Sequence, residues 1–444
     1  MRIAVIGSGI SGNGAAWALS QTTDAAGYPL HDVTMYERRD RSGGHSHTID
    51  IDYEGRKIPV DVGFIVYNEL NYPNLVALFD HIGVETIKSD MSFGVSLNNG
   101  KLEWSGHSLN TIFAQRRNLF SPSFLKMLRD ILRFNKKAAD DLKQNALGDV
   151  SLGDYLHEHK FSRSFRDRYL APMGAAIWST PHADIFDFPA RSFIQFFDNH
   201  RLMHRNRDRP AWRTVKGGSR NYVSKITAPF QDKIRFNAEV VEVKRVNGLV
   251  SVKDVNGHID HFDHVVFAAH TDQTLKMMGD ANDLERSILG AITYRPNEVY
   301  LHKDERLMPS RKKVWSSWNY IETPIDLQKQ TGVCVSYSMN QLQKIDPTKP
   351  VFVSLNPATP PRDDKIFAKT NFSHPQFDKA AIEAQSRLHE IQGKGNIWYC
   401  GAWCGYGFHE DGLKSGLDVA EKLGARIPWR NFDESVQPHL EAAE

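Results

Sequence analysis

Gly7, Gly9 and Gly12 stand in the run Gly7-Ser8-Gly9-Ile10-Ser11-Gly12, directly after Ile3-Ala4-Val5-Ile6 and before Ala15-Ala16-Trp17-Ala18-Leu19. An unalternated apolar run of this kind reads as a strand buried on both faces of a parallel sheet. Glycines at this spacing permit a tight turn, let backbone approach a pyrophosphate and let the following helix pack on the strand. Ile10 and Ser11 then fall in the first helical turn, whose unpaired N–H groups face an anion. A second apolar stretch, Val33-Thr34-Met35-Tyr36, ends at Glu37, 25 positions beyond Gly12 and placed to accept from ribose hydroxyls. Strand, glycines, helix, strand and acid in this order predict a dinucleotide site. Arg38 would suit a 2′-phosphate, but the neighbouring carboxylate repels one. A second glycine turn, Gly43-Gly44-His45-Ser46, offers more backbone to the same diphosphate, and a plain nicotinamide domain needs no such loop. The adenosine of FAD fits better.

Histidines and aromatics carry the remaining chemistry. His409 lies in Gly405-Tyr406-Gly407-Phe408-His409-Glu410-Asp411-Gly412. An imidazole beside a flavin ring moves protons near neutral pH, which makes His409 the candidate catalytic residue; a histidine that only hydrogen-bonds or packs is the alternative. His45 and His47 have no distant cluster of Cys, Asp or His to complete a site, so no metal is expected. Tyr169, Met173 and Trp178 would line an apolar substrate cavity, unless they merely pack a helix. The three cysteines, Cys334, Cys400 and Cys404, form neither a disulfide framework nor the usual zinc spacing, which suits a reducing cytoplasm.

With these motifs the chain resembles the FAD-dependent flavoproteins of the amine oxidase, protoporphyrinogen oxidase and phytoene desaturase superfamily, in pieces along its whole length. The resemblance implies an α/β protein in which a glutathione-reductase-type, Rossmann-like FAD-binding domain is joined to a mixed α+β substrate domain. It places Val60-Asp61-Val62-Gly63-Phe64 near the flavin, with Gly63 and Phe64 as contacts, and makes Trp212–Ser219 a glycine turn re-entering the cofactor domain. It puts Val240 on the strand that meets the adenine, and Ala268 on the strand that closes the cofactor sheet. In the C-terminal block, Gly401 and Trp403 end the final strand. Asp411, Gly412, Leu413 and Ser415 open a helix whose N-terminus points at the flavin pyrimidine or diphosphate and stabilises negative charge there. Tyr67, Trp403 and Tyr406 are implied pocket residues.

Three departures matter. His45 replaces the arginine that usually continues the second glycine turn, Asn297 stands where amine oxidases carry a lysine, and His409 where they carry a flavin-facing tyrosine. The last two speak against amine oxidation. The branch most similar to this chain, through Val60–Asn68 and Gly401–Gly416, is associated with cyclopropane-fatty-acid synthesis. That implies a hydrophobic lipid substrate, a fatty-acyl chain desaturated by hydride transfer to flavin N5, with an unidentified electron acceptor. Alternatives are double-bond isomerisation without net redox change, a catalytically silent flavin- or lipid-binding subunit, and amine oxidation.

The elements that must position these residues divide the 444-residue chain into a discontinuous FAD-binding domain, 1–80, 212–272 and 394–430, and a substrate domain, 81–211 and 273–393, followed by a tail, 431–444. Phe124, Leu128, Ile131, Leu132, Ala138, Ala139 and Leu142 follow helical steps, so the first insertion reads as helical. The second is mixed, with strand-like runs around 299–302, 333–337 and 351–355. Fifty-five Lys and Arg against 53 Asp and Glu leave a net charge of +2, too small a field to steer nucleic acid. The N-terminus lacks the serial regions of a secretory signal. Two local basic runs, 113–137 with Arg116, Arg117, Lys126, Arg129, Arg133, Lys136 and Lys137, and 201–213 with Arg201, Arg205, Arg207, Arg209 and Arg213, suggest an anionic membrane partner. The expected location is the cytoplasm, peripheral on the inner face of the cell membrane.

Overall fold

The computed structural model describes residues 1–204, 210–322 and 334–430; the expected tail and Arg205, Arg207 and Arg209 of the second basic run lie outside them. Strands β1 (Arg2–Ile6) and β2 (Asp32–Tyr36) flank helix α1 (Ile10–Ser20). Then come β3 (Phe93–Leu97), β4 (Leu102–Ser105) and helices α2 (Pro122–Lys143), α3 (Ala171–Trp178) and α4 (Ala190–Asn199). The second half supplies β5 (Ile234–Arg235), β6 (His264–Phe267), β7 (Tyr294–His302), β8 (Trp318–Ile321) and β9 (Cys334–Ser338). It ends with β10 (Phe352–Leu355), β11 (Ile366–Pro375), β12 (Ile397–Tyr399) and helix α5 (His409–Lys422).

Two sheets organise the molecule. The first is five-stranded and parallel, in the order β5-β2-β1-β6-β12, and gathers strands from three distant stretches of chain. Its centre, Ile3 to Ile6, is buried, as an apolar run without alternation requires. The second is seven-stranded, in the order β11-β7-β10-β9-β8-β3-β4. Its pairs are antiparallel except β3 with β8. The first insertion is therefore not purely helical, because it gives β3 and β4 to this sheet. Val240–Val246 is a strand, as expected, and heads a separate three-stranded antiparallel sheet with Leu249–Asp254 and Ile259–Phe262. Among the described residues no helix is long and apolar enough to cross a membrane.

Helices α1 and α5 touch backbone to backbone. A Cβ on Gly416 would lie 2.1 Å from the Ser11 carbonyl oxygen, and one on Gly12 would lie 1.9 Å from that of Gly7. No side chain fits at either place. Gly416→Ala is thus expected to push α5 off α1 and destabilise the protein by about 1–3 kcal/mol, the usual range for overpacking. Denaturant titration measures this, and an unchanged midpoint would show that the two helices are not in such contact.

Candidate active site

A cavity of about 840 Å³ is walled by elements of both large sheets. At one end lie Gly7, Gly9, Ile10 and Ser11, where α1 begins. The N-cap, Gly9, supplies no side-chain cap, so the first-turn N–H groups of α1 are left for an external acceptor. Nothing stands within 4 Å of where a Gly9 Cβ would be, so bare backbone borders open space there. Glu37, at the end of β2, holds the turn: its Oε2 accepts from the Ser8 N–H at 3.1 Å and the Ser8 hydroxyl at 2.5 Å, and its Oε1 accepts from the Arg39 N–H at 2.9 Å. Each oxygen keeps lone-pair capacity for ribose hydroxyls. Arg38, Gly44, His45, Gly63, Phe64, Val240, Ala268 and Gly401 complete this part of the wall. An uncapped helix N-terminus, bare glycine backbone and a terminal carboxylate together fit the diphosphate and ribose of FAD.

Seven residues expected to touch the cofactor stand behind that wall instead. Gly12 packs on Gly7, and the Gly43 N–H donates to the Ser8 carbonyl at 2.8 Å, tying the two glycine turns together. Gly412 lies against Ile10, and Leu413 against Gly14. The Ser415 hydroxyl accepts from the Gly401 N–H at 2.9 Å. Asp411 caps α5 by accepting from the N–H groups of Phe408 and Tyr406 at 2.9 and 3.1 Å. Ser46 bonds Tyr222 and, at 3.0 Å, His409 Nε2. All seven support the contacts rather than make them, because close packing of the helices and loops fills the space beside them.

His409 does line the cavity, stacked on Phe64 with ring centroids 3.8 Å apart and 2.7 Å from the Tyr222 hydroxyl through Nε2. Burial pushes its imidazole down to about 3, which favours the neutral ring. Of the expected pocket residues, Trp178, Trp403 and Tyr406 line the cavity. Four do not. Tyr67 is buried against Tyr72 and Phe79, Tyr169 lies among Trp104 and Phe165, and Met173 packs on the same core as Tyr169. Asn297 is buried in a hydrogen-bond chain behind the wall. Aromatic and apolar side chains were free to satisfy the core first, and these did. Among the described residues no group of His, Cys, Asp or Glu could hold a metal ion.

Residues 10–311 match the family described as flavin containing amine oxidoreductase. The chain belongs to that family. It is an FAD-dependent oxidoreductase. Several solved structures share the fold of this chain. The CLA-producing fatty acid isomerase from P. acnes is 16% identical, with 95% of this chain and 98% of that one covered and a TM-score of 0.67. Wild-type putrescine oxidase bound to putrescine is 15% identical over 96% of this chain and 100% of that one, with a TM-score of 0.66. Cyclohexylamine oxidase from Brevibacterium oxydans is 15% identical over 95% and 99%, with a TM-score of 0.65. No curated protein sequence matches the chain.

The cavity also carries residues that sequence reasoning missed: His200, His270 and His374. His374 is oriented by a chain of amides. The Glu298 N–H donates to Asn356 Oδ1 at 2.8 Å, Asn356 Nδ2 donates to Asn297 Oδ1 at 2.7 Å, and Asn297 Nδ2 donates to His374 Nδ1 at 3.1 Å. A backbone donor at the start fixes every orientation after it, so Nδ1 accepts and a neutral His374 carries its proton on Nε2. The only cue in the sequence was Asn297 standing where a lysine was sought.

Two predictions follow from this wall. Glu37→Gln removes a charge-assisted acceptor, a difference of about 1.5 kcal/mol, and should weaken FAD retention about tenfold in a flavin titration; equal retention would mean that Glu37 serves only the turn. The second concerns pH. Burial pushes His200, His270 and His374 down to about 4 and His45 well below its ordinary value, as it does His409. Unfolding restores each to about 6.5, so below that pH the unfolded chain binds protons that the folded chain refuses. Burial also raises Asp61 and Asp411 to about 6, which works in the opposite sense between pH 6 and 4. The five imidazoles outnumber the two carboxyls. Stability should therefore fall from pH 6.5 to 4 with net proton uptake on unfolding, measured by denaturation at several pH values; a rise over that interval would contradict the burial of these rings.

Proposed function

We propose that this FAD-dependent oxidoreductase desaturates a hydrophobic lipid, a fatty-acyl chain. The distribution of charge along the cavity wall carries the reading. Of its charged residues, Glu37, Arg38, Arg39, Glu239 and Asp272 come from the nucleotide-binding segments, and Lys276 follows directly on the last of them. The rest of the wall is mainly apolar, with Ile65, Val66, Met91, Ile177, Leu202, Val299, Leu355 and Phe377 beside the uncharged polar Ser179, Tyr337, Asn371 and Ser373, and it has no carboxylate to receive a cationic amine. Such a wall excludes water and accommodates methylene groups. In the same reading, residues 1–80, 212–272 and 394–430 form the glutathione-reductase-type FAD-binding domain, and the rest of the described chain forms the mixed substrate domain.

FAD, when bound, supplies hydride acceptance at N5. The α1 N-terminus and Glu37 hold its polar end, and the apolar wall aligns the acyl chain. Neutral His409 offers a hydrogen bond beside Phe64 without introducing charge, and His374 presents an Nε2–H donor. Desaturation would break two adjacent C–H bonds and form a C=C bond, one hydrogen leaving as hydride to the bound cofactor and the other as a proton released to water, with a separate two-electron acceptor restoring the oxidised state. A second reading, double-bond isomerisation, returns the hydride to the same lipid, and the fold shared with a fatty acid isomerase favours it.

Anaerobic mixing with unsaturated fatty acids, followed by mass spectrometry, separates the readings. Flavin bleaching with loss of two hydrogens from the lipid means desaturation, and unchanged mass with shifted unsaturation means isomerisation. Lipid that binds without reaction points to a silent carrier. Bleaching by putrescine or a monoamine, with every lipid inert, overturns the proposal in favour of amine oxidation.

A further inference from the structure

The outer face of α2 has an unusual composition. Its inner stripe, Phe124, Met127, Phe134 and Ala138, is buried in the core. Its outer stripe is Leu125, Arg129, Leu132 and Lys136, at steps of four, three and four residues, all exposed. A helix facing water carries polar residues there, whereas this one alternates leucine with cation. The preceding turns continue the pattern: Phe120 is 86% exposed, Leu109 75% and Leu132 72%, with Leu119 also outside. Arg116, Arg117 and Lys126 stand exposed among them. From 109 to 139 the single acid is Asp130, which is buried, paired with Arg133 at 3.2 Å and accepting from the Ser162 N–H at 2.9 Å. The outward charge is thus of one sign over 109–136, and exposed Asp140, the next step of the stripe, ends it.

We infer that this face, 109–136, docks on the surface of an anionic lipid bilayer. The side chains match an interface in depth: single leucines and a phenylalanine reach the acyl boundary, while the interleaved arginines and lysines meet phosphates. Apolar residues separated by cations offer no continuous patch for a protein partner's core. Arg213 of the second basic run adds nothing to this face, because it is held by Thr86 at 2.8 Å and by Glu69 at 3.5 Å. Helix α2 packs on α4, whose Phe196 lines the cavity, so one helix separates the docking face from the site. The inference rests on the surface alone and is independent of the reaction proposed above.

Full-length flavin-loaded protein, sedimented with phosphatidylcholine vesicles with or without phosphatidylglycerol, tests it. The parent should bind the anionic vesicles at least tenfold better than the neutral ones and be released by salt. Phe120→Ser with Leu132→Ser, and separately Arg129→Gln with Lys136→Gln, should each reduce binding about tenfold with flavin content unchanged. Exposed positions make misfolding a small concern, and flavin content reports it. Two outcomes overturn the inference: a parent that ignores anionic vesicles at low salt, or variants that bind as the parent does. A concentration-dependent dimer, abolished by Phe120→Ser with Leu132→Ser in a parent that binds no vesicles, would also overturn it and assign the face to a second copy of the chain.

Discussion

The whole site depends on the absence of side chains where α1 meets α5. Gly416 lies on the Ser11 carbonyl, backbone against backbone, while Gly412 leaves room for the Ile10 side chain and Gly14 for that of Leu413. Rotamers can relax around a side-chain contact, but a backbone contact has no such freedom. Both helices begin at the cavity, and their crossing therefore fixes where two N-termini, with their partial positive charge, stand relative to each other. The 2.8 Å bond from the Gly43 N–H to the Ser8 carbonyl extends the same framework to the second glycine turn.

What could be read in the sequence was what is local. Gly7, Gly9 and Glu37 answer to a turn and a strand end within one βαβ unit, and their spacing shows it. Side chains whose facing is decided by distant packing could not be read in that way. Tyr67, Tyr169 and Met173 have the composition of a pocket and went into the core, because an aromatic ring satisfies either environment. His374 reaches the cavity only because β11 pairs with β7, setting Arg295 opposite His374, and a register across two strands leaves no trace in spacing. β3 and β4, of five and four residues, were hidden for a similar reason: so short a strand acquires its identity from the neighbours it pairs with.

The cavity wall is electrically graded. The charged lining residues cluster in and directly after the nucleotide-binding segments, while burial pushes five imidazoles along the wall down toward the neutral form. Hydrogen-bonding capacity is thus present without ionic charge. In a low-dielectric wall that combination strengthens each dipole and avoids the desolvation penalty of a fixed charge.

The strand order of the parallel sheet also bears on how the protein is made. Ile3 pairs with His264, and Val265 with Ile397, so the earliest strand waits for partners that leave the ribosome much later. Until then β1 and β2 present an apolar edge with unmet hydrogen bonds, the kind of surface that recruits chaperones or aggregates. α5 emerges after every strand of the sheet, so the nascent chain cannot close its dinucleotide site until all of these elements have been made.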